Sequence, residues 1–286
     1  VNRPPRRQPP VLIRKESGAE EPFRDRKLRA SLRRVGATAA EIAEVLASVR
    51  AELRPGISTR EVYRIAHRHL RRATGPKAAR YSLQRALLEL GPTGFPFESF
   101  VAALFDAEGF RTRVGVRLRG RFVTHEIDVL AERRGLRALA ECKLRIRSEG
   151  KVDVRTAMYV YGRAVDLDAV GRDGAEFWLC TNGRFSADAI AYGEGMGLRL
   201  LGWNHPAGEG LRERVDRAGL HPITVLTTVP ARARRALLER GIVLCRELLR
   251  RPQELRRAGV PAQRVDRVLA EARALCVDGA AAGTWT

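Results

Sequence analysis

The sequence predicts an α/β protein in three parts: a central mixed sheet built in the order αβββαβαβ, a mostly helical segment before it and a small helical module after it. Three observations predict this. Between residues 94 and 205 the apolar residues switch repeatedly between helical and two-residue periods. Gly and Pro concentrate in "LGPTGFPFE" (90–98) and "GWNHPAGEG" (202–210), which mark the boundaries. Strands joined by helical crossovers require parallel pairs with helices on the faces of the sheet. The resulting segments are 11–90, 94–205 and 218–277.

A Pro/Arg-rich head at residues 3–10 reads as disordered. Helical patterns follow, including "STREVYRIAHRHL" and "AARYSLQRALLEL". In the central segment "PFESFVAALFDAEGF" sets Phe97, Phe100, Val101, Leu104 and Phe105 at helical spacing, with Glu98 beside the stripe and Gly109 ending the helix. Val114, Val116 and Leu118 alternate with Arg113, Arg117 and Arg119, a half-buried strand closing at "RGR". Strict alternation in the next strand puts Glu126, Asp128 and Leu130 on one face and Ile127 and Val129 on the other. After a turn at 133–135, Leu139, Glu141 and Lys143 face one way and Ala138, Ala140 and Cys142 the other. A helix (Val154, Ala157, Met158, Tyr161, Val165), the strand "EFWLCT", a helix capped by Ser186 and the strand "LRLLGW" complete the order, with Trp178 and Trp203 read as core. The last segment gives short helices broken at Gly241 and Gly259.

Composition narrows the function. Apolar residues make up 44% of the 286, enough for ordinary cores, and no apolar run approaches the ~20 residues of a membrane span. The N-terminus lacks the apolar stretch of a signal peptide, so the expected location is cytoplasmic. Cys142, Cys180, Cys245 and Cys276 show no CxxC spacing and no nearby His, which argues against a disulfide framework or a zinc site. The formal charge of +20 is the footprint of a polyanion binder. It sits on the flanks: residues 1–93 carry 21 Lys/Arg against 9 Asp/Glu, residues 94–205 carry 17 against 15, and residues 206–286 carry 15 against 9. Arginine spread over solvated faces by coding bias gives a similar total.

Asp128, Glu141 and Lys143 converge from neighbouring strands, with Glu98 on the preceding helix. Hard carboxylate oxygens hold Mg²⁺, the metal polarises a phosphoryl group and lowers the pKa of an attacking water, and a lysine orients that water and offsets charge building on the phosphate. Taken alone, Glu141 and Lys143 read as a solvated surface pair, the usual fate of charged strand residues; Asp128, Glu98 and the element order are what favour the site.

Residues 94–203 resemble the Mrr-type restriction endonuclease domain of the PD-(D/E)xK nuclease superfamily, on the stretches "FPFESFVAALFDAEGF", "HEIDVLAE", "LAECKLR" and "TNGRFSADAIAYGEGMGLRLLGW". The resemblance implies that Asp128 is the central metal carboxylate, that Glu141 and the Cys142 backbone carbonyl complete the protein ligands, that Lys143 is the catalytic lysine and that Glu98 is the helix acid near the metal. It implies Mg²⁺ or Mn²⁺ as cofactor and DNA as substrate. Ile127 stands where the superfamily's name has proline, and Glu126 has no role in the family pattern.

Residues 11–90 resemble an ATP-cone, a small nucleotide-binding regulatory domain, through Ile13, Lys15, Ser17, Gly18, Phe23, Lys27 and Leu28. The resemblance implies that Lys15 and Lys27 contact the phosphates of ATP or dATP, that Ile13 and Phe23 line the base or support the fold, and that Thr59 contacts the base. Glu16 and Ser17 depart from the family's Arg-Asp. A basic helical domain that binds DNA directly accounts for the same composition. "RGIVLCRELL" and "AGVPAQRVDRVL" are loosely similar to helix-hairpin-helix units, in which backbone N–H groups hold a DNA phosphate, and a packing or dimerisation module fits them equally.

The expected protein is a metal-dependent endodeoxyribonuclease with a nucleotide-responsive segment before the nuclease domain, forming a homodimer or higher oligomer and having no membrane partner. The alternative is a non-catalytic, nucleotide-responsive DNA-binding protein that retains the nuclease fold.

Overall fold

A computed structural model of the chain describes residues 10–15, 18–73, 75–91, 93–146, 150–168 and 174–280. The head at residues 3–9 and the departures Glu16 and Ser17 lie outside the described residues. The chain divides after Ser82 into two compact units.

In the first unit β1 (Leu12–Arg14) pairs antiparallel with β2 (Glu20–Pro22) and parallel with β3 (Ile57–Ser58). Helices α1 (Asp25–Arg34), α2 (Ala39–Glu52) and α3 (Thr59–Ala73) cover this small sheet, and α4 (Gly75–Leu88) leads across the division. The core joins Ile13 and Ile57 of the strands to Leu32, Val45, Val49 and Leu70 of the helices. Local chemistry fixes two helix starts. The Thr38 hydroxyl accepts the Glu41 amide at 3.3 Å while the Glu41 carboxylate accepts the Thr38 amide at 2.6 Å, and Ser58 and Glu61 exchange the same pair of bonds before α3.

The second unit contains the expected sheet. After α5 (Phe95–Ala107) come β4 (Arg111–Arg119), β5 (Thr124–Arg133), β6 (Leu136–Lys143), β7 (Lys151–Val152), α6 (Val154–Asp168), β8 (Ala175–Thr181), β9 (Arg184–Phe185), α7 (Ala187–Gly195) and β10 (Arg199–Leu201). The five-stranded sheet runs β10-β8-β6-β5-β4, antiparallel from β4 to β6 and parallel from β6 to β10. The two-residue strands β7 and β9 form a separate parallel pair that sequence periodicity is too short to reveal.

Helices α6 and α7 pack on one face, where Ala157, Val160, Leu167 and Ala189 meet Leu139, Phe177, Leu179 and Leu200. Helix α5 covers the other face. Trp178, which alternates with Phe177 and Leu179, meets Phe105 of α5 edge-on at 5.4 Å.

The structure departs from the expected alternation of β5, in which Ile127 and Leu130 take opposite faces. Ile127 and Leu130 enter the same core beneath α6, so strict alternation fails between them. The β4–β5 register is continuous on either side, with Val114 opposite Val129 and Val116 opposite Ile127. Gly115 lies between the two valines with φ +65°, and no side-chain-bearing residue adopts that conformation cheaply. The pairing skips only Gly115 and Asp128, and Asp128 lies where the alternation fails.

Beyond the sheet, α8 (Leu211–Ala218) and a short 3-10 turn at Ile223–Val225 lead to α9 (Ala231–Glu239), α10 (Cys245–Arg250), α11 (Gln253–Arg257) and α12 (Ala262–Ala280). Gly241 (φ +73°) and Gly259 (φ +84°) follow α9 and α11 in left-handed conformations, ending those helices where the sequence places the breaks. No described helix is long and apolar enough to cross a membrane.

Candidate active site

The site forms where β5 and β6 part. Their ladder runs from Arg133 opposite Leu136 to Val129 opposite Ala140 and stops there. One step on, the Asp128 side chain replaces the strand: its Oδ2 accepts the Cys142 amide at 2.7 Å. This bond satisfies an amide left by the parted ladder and fixes the carboxylate beside the end of β6. Strand β6 stays paired on its other edge, with Glu141 opposite Leu179 and Lys143 opposite Thr181.

Glu141 is buried, and both its oxygens meet cations. Oε1 accepts Lys143 Nζ at 2.5 Å, and Oε2 accepts an Arg163 N–H from α6. Arg163 also donates to the Glu126 carbonyl, which joins β5, β6 and α6 around one guanidinium. Two neighbouring buried residues hold the chain after Lys143. The Thr181 hydroxyl donates to the Lys143 carbonyl at 2.7 Å, while the Asn182 amide accepts from Arg145 N at 2.7 Å and donates to Arg145 O at 2.9 Å.

Electrostatics link four of the expected residues. Burial, then the charge of Glu141, pushes Asp128 up to about 6, against the Cys142 amide and the Lys143 charge. Glu98, in the first turn of α5, is pushed up to about 7 by burial and then by Asp128, Glu126 and Glu141. Glu98, Asp128, Glu141 and Lys143 thus share one electrostatic environment, with Glu126 adding to its negative side. Burial and the facing Cys180 thiol hold the Cys142 thiol well above its usual range, so this residue offers the site its backbone rather than a thiolate.

The site residues expected in the first unit fall into two groups. Lys15 and Lys27 converge on Glu21, at 3.1 and 2.9 Å. Ile13 is a core residue and Phe23 packs against the same core, while Thr59 opens α3. Sequence reading missed Arg163, Thr181, Asn182 and Glu21. The stretch "TNGRF" contained two of them without disclosing their bonds to β6, and Arg163 is one arginine among 48.

The raised carboxylates have a consequence for stability. In the folded state they bind protons at pH values where the unfolded chain has released them, so the contribution is present at low pH and is lost as pH rises through about 6 and 7. Without divalent metal, the melting temperature is expected to fall between about pH 5 and pH 8. Asp128→Asn and Glu98→Gln together should flatten that slope in a calorimetric series, and an unchanged slope would place its origin elsewhere.

The family matches both fall within the second unit. The restriction endonuclease family profile matches residues 91–204, and a family described as AF1548-like, C-terminal, matches residues 221–276. An uncharacterised protein of Archaeoglobus fulgidus is 35% identical over 174 residues, which span 60% of this chain and 98% of that protein. The crystal structure of a protein of unknown function, AF1548, aligns with a TM-score of 0.55 and 33% identity over 66% of this chain and 100% of its own. The chain belongs to the family of these AF1548-like proteins, with a restriction endonuclease domain ahead of the AF1548-like C-terminal domain.

Proposed function

We propose that the chain is a divalent-metal-dependent endodeoxyribonuclease of restriction or repair type. The observation that carries this reading is the Asp128 carboxylate, held by the Cys142 amide at the parted strands among Glu98, Glu141 and Lys143. Burial raises both carboxylates, helped by the Glu141 charge on Asp128 and by the Asp128, Glu126 and Glu141 charges on Glu98, and such a concentration of acidic oxygens suits a hard cation.

Among the described residues no three His, Cys, Asp or Glu side chains are already grouped as a ligand set, because Glu141 is turned onto Lys143 and Arg163. The donor chemistry nevertheless fits a hard cation. Asp128, the Cys142 carbonyl and Glu141 would hold it, with Glu98 nearby. A bound Mg²⁺ or Mn²⁺ supplies Lewis acidity and a water of lowered pKa. The chain's own residues do the rest: the Cys142 amide orients Asp128, Arg163 restrains Glu141, and Lys143 Nζ orients the water and offsets charge on the phosphodiester.

Asp128→Ala, Glu141→Ala and Lys143→Ala should each lower plasmid cleavage at least about 10²-fold while leaving DNA affinity within a few fold, since affinity rests on arginine–phosphate contacts. Full cleavage by Lys143→Ala would remove the assignment. Loss of folding in all three would make the cluster structural.

A second reading concerns the first unit and rests on the convergence of Lys15 and Lys27. We infer that a nucleotide phosphate competes with Glu21 for these two ammonium groups, giving ATP or dATP a means of control. The chain has no Gly-x-x-x-x-Gly-Lys-Ser/Thr loop, so binding without hydrolysis is expected. Calorimetry at physiological salt should show ATP heat that exceeds GTP heat and disappears in Lys15→Ala/Lys27→Ala. Equal weak heats from both nucleotides would reduce it to general charge attraction.

A further inference from the structure

The turn between β4 and β5 presents an exposed aromatic ring on a backbone fixed from beneath. Phe122 is 70% exposed and Val123 54% exposed. Beneath them the Asp166 carboxylate, near the end of α6, is buried. Its Oδ1 accepts the Phe122 amide at 2.8 Å, and its Oδ2 accepts His125 Nε2–H at 2.7 Å and the Val123 amide at 3.4 Å. The Asp166 carbonyl accepts the Arg121 amide at 2.9 Å, and Gly120 N–H closes the turn on the Val123 carbonyl at 2.8 Å. A Cβ on Gly120 would collide with the Asp166 carboxylate, so glycine is required for this approach.

Four hydrogen bonds to one buried aspartate therefore hold a tip whose apolar side chains face solvent. A turn needing only to connect two strands needs no such anchor, and a single exposed phenylalanine on a mobile loop would carry no argument. Exposed arginines surround the tip: Arg117 and Arg119 on β4, and Arg121, whose guanidinium lies 5.0 Å from the centroid of the Phe122 ring. A second copy of this chain seated on the tip would oppose arginine to arginine. A polyanion complements it, and an apolar wedge flanked by arginines suits the unstacking of a base step with the arginines on the adjacent phosphates.

We propose that Phe122 is a DNA wedge. Resting on the nuclease reading of the same domain, the proposal adds how the substrate is held: the ring enters the base stack of the DNA whose phosphate occupies the Asp128 site. Strand β5 begins at Thr124, four residues before Asp128. The tip therefore lies roughly 15–20 Å from the carboxylate, or about four to six base steps of ~3.4 Å from the scissile phosphate. DNA that is already easy to unstack there, at a mismatch, nick or junction, is the preferred substrate because it lowers the cost of insertion.

The test uses the full chain in EDTA, so that no cleavage occurs, with duplexes carrying 2-aminopurine at successive positions and anisotropy to report binding. Bound wild-type protein should raise the emission severalfold at one or two adjacent positions. Phe122→Ala should abolish the rise while keeping affinity within about threefold, because phosphate contacts dominate affinity, and Phe122→Trp should restore it. As the ring is exposed, the alanine variant should melt with the wild type. An unchanged rise in Phe122→Ala, or none in a bound wild-type complex, overturns the wedge, and failure to bind DNA overturns it together with the substrate of the nuclease reading. Binding and unstacking without cleavage in Mg²⁺ would keep the wedge and remove the nuclease reading alone.

Discussion

The hydrogen bond from the Cys142 amide to Asp128 governs the rest of the site. Two antiparallel strands that separate leave backbone groups without partners, and a buried amide in that position costs roughly 1–3 kcal/mol when unsatisfied. Asp128 fills the gap with a side chain and so becomes a charged group fixed in a sheet. The left-handed Gly115 on β4 lies opposite Asp128 in the register, at the pair the ladder skips and where the alternation of β5 fails. Fold and site thus share one backbone irregularity.

The buried charge then needs compensation. Glu141 has it, with Lys143 on one oxygen and Arg163 on the other. Asp128 and Glu98 have less of it and are raised for that reason as well as by burial. The uneven distribution is unlike that of a structural ion-pair cluster, in which every carboxylate would be depressed, as Glu41 is, down to about 2 beside Lys77 and the Thr38 amide. The Thr181 and Asn182 bonds keep the end of β6 in place while these charges are arranged, so Lys143 is positioned by backbone rather than by its own flexible stem.

Much of this was legible in the sequence. Apolar periodicity defined α5, β4, β5, β6, α6, β8, α7 and β10, because each is long enough to show its period or is bounded by Gly, Pro or Ser. Asp128, Glu141 and Lys143 stood out as charges on strands otherwise headed for a core. The face of Asp128 was not legible, since a glycine inside an alternating strand does not announce its φ angle. Nor was Arg163: nothing local distinguishes it from the other arginines, and its partners lie on two other elements. Asp166 and His125 looked like ordinary polar residues until folding placed them beneath the Phe122 turn. In the first unit, Lys15 and Lys27 came from a resemblance, and the carboxylate between them came only from three-dimensional pairing of β1 with β2.

If Asp128 and Glu98 belong to the proposed cation site, their protons leave when the cation enters. Titration calorimetry with Mn²⁺ at about pH 6, in buffers of different ionisation enthalpy, measures this directly by counting the protons released. Buffer-dependent heat is expected that fades toward about pH 8 as the carboxylates ionise on their own, and that is lost in Asp128→Asn. Binding whose heat is independent of buffer at the lower pH, or that survives Asp128→Asn unchanged, would contradict it.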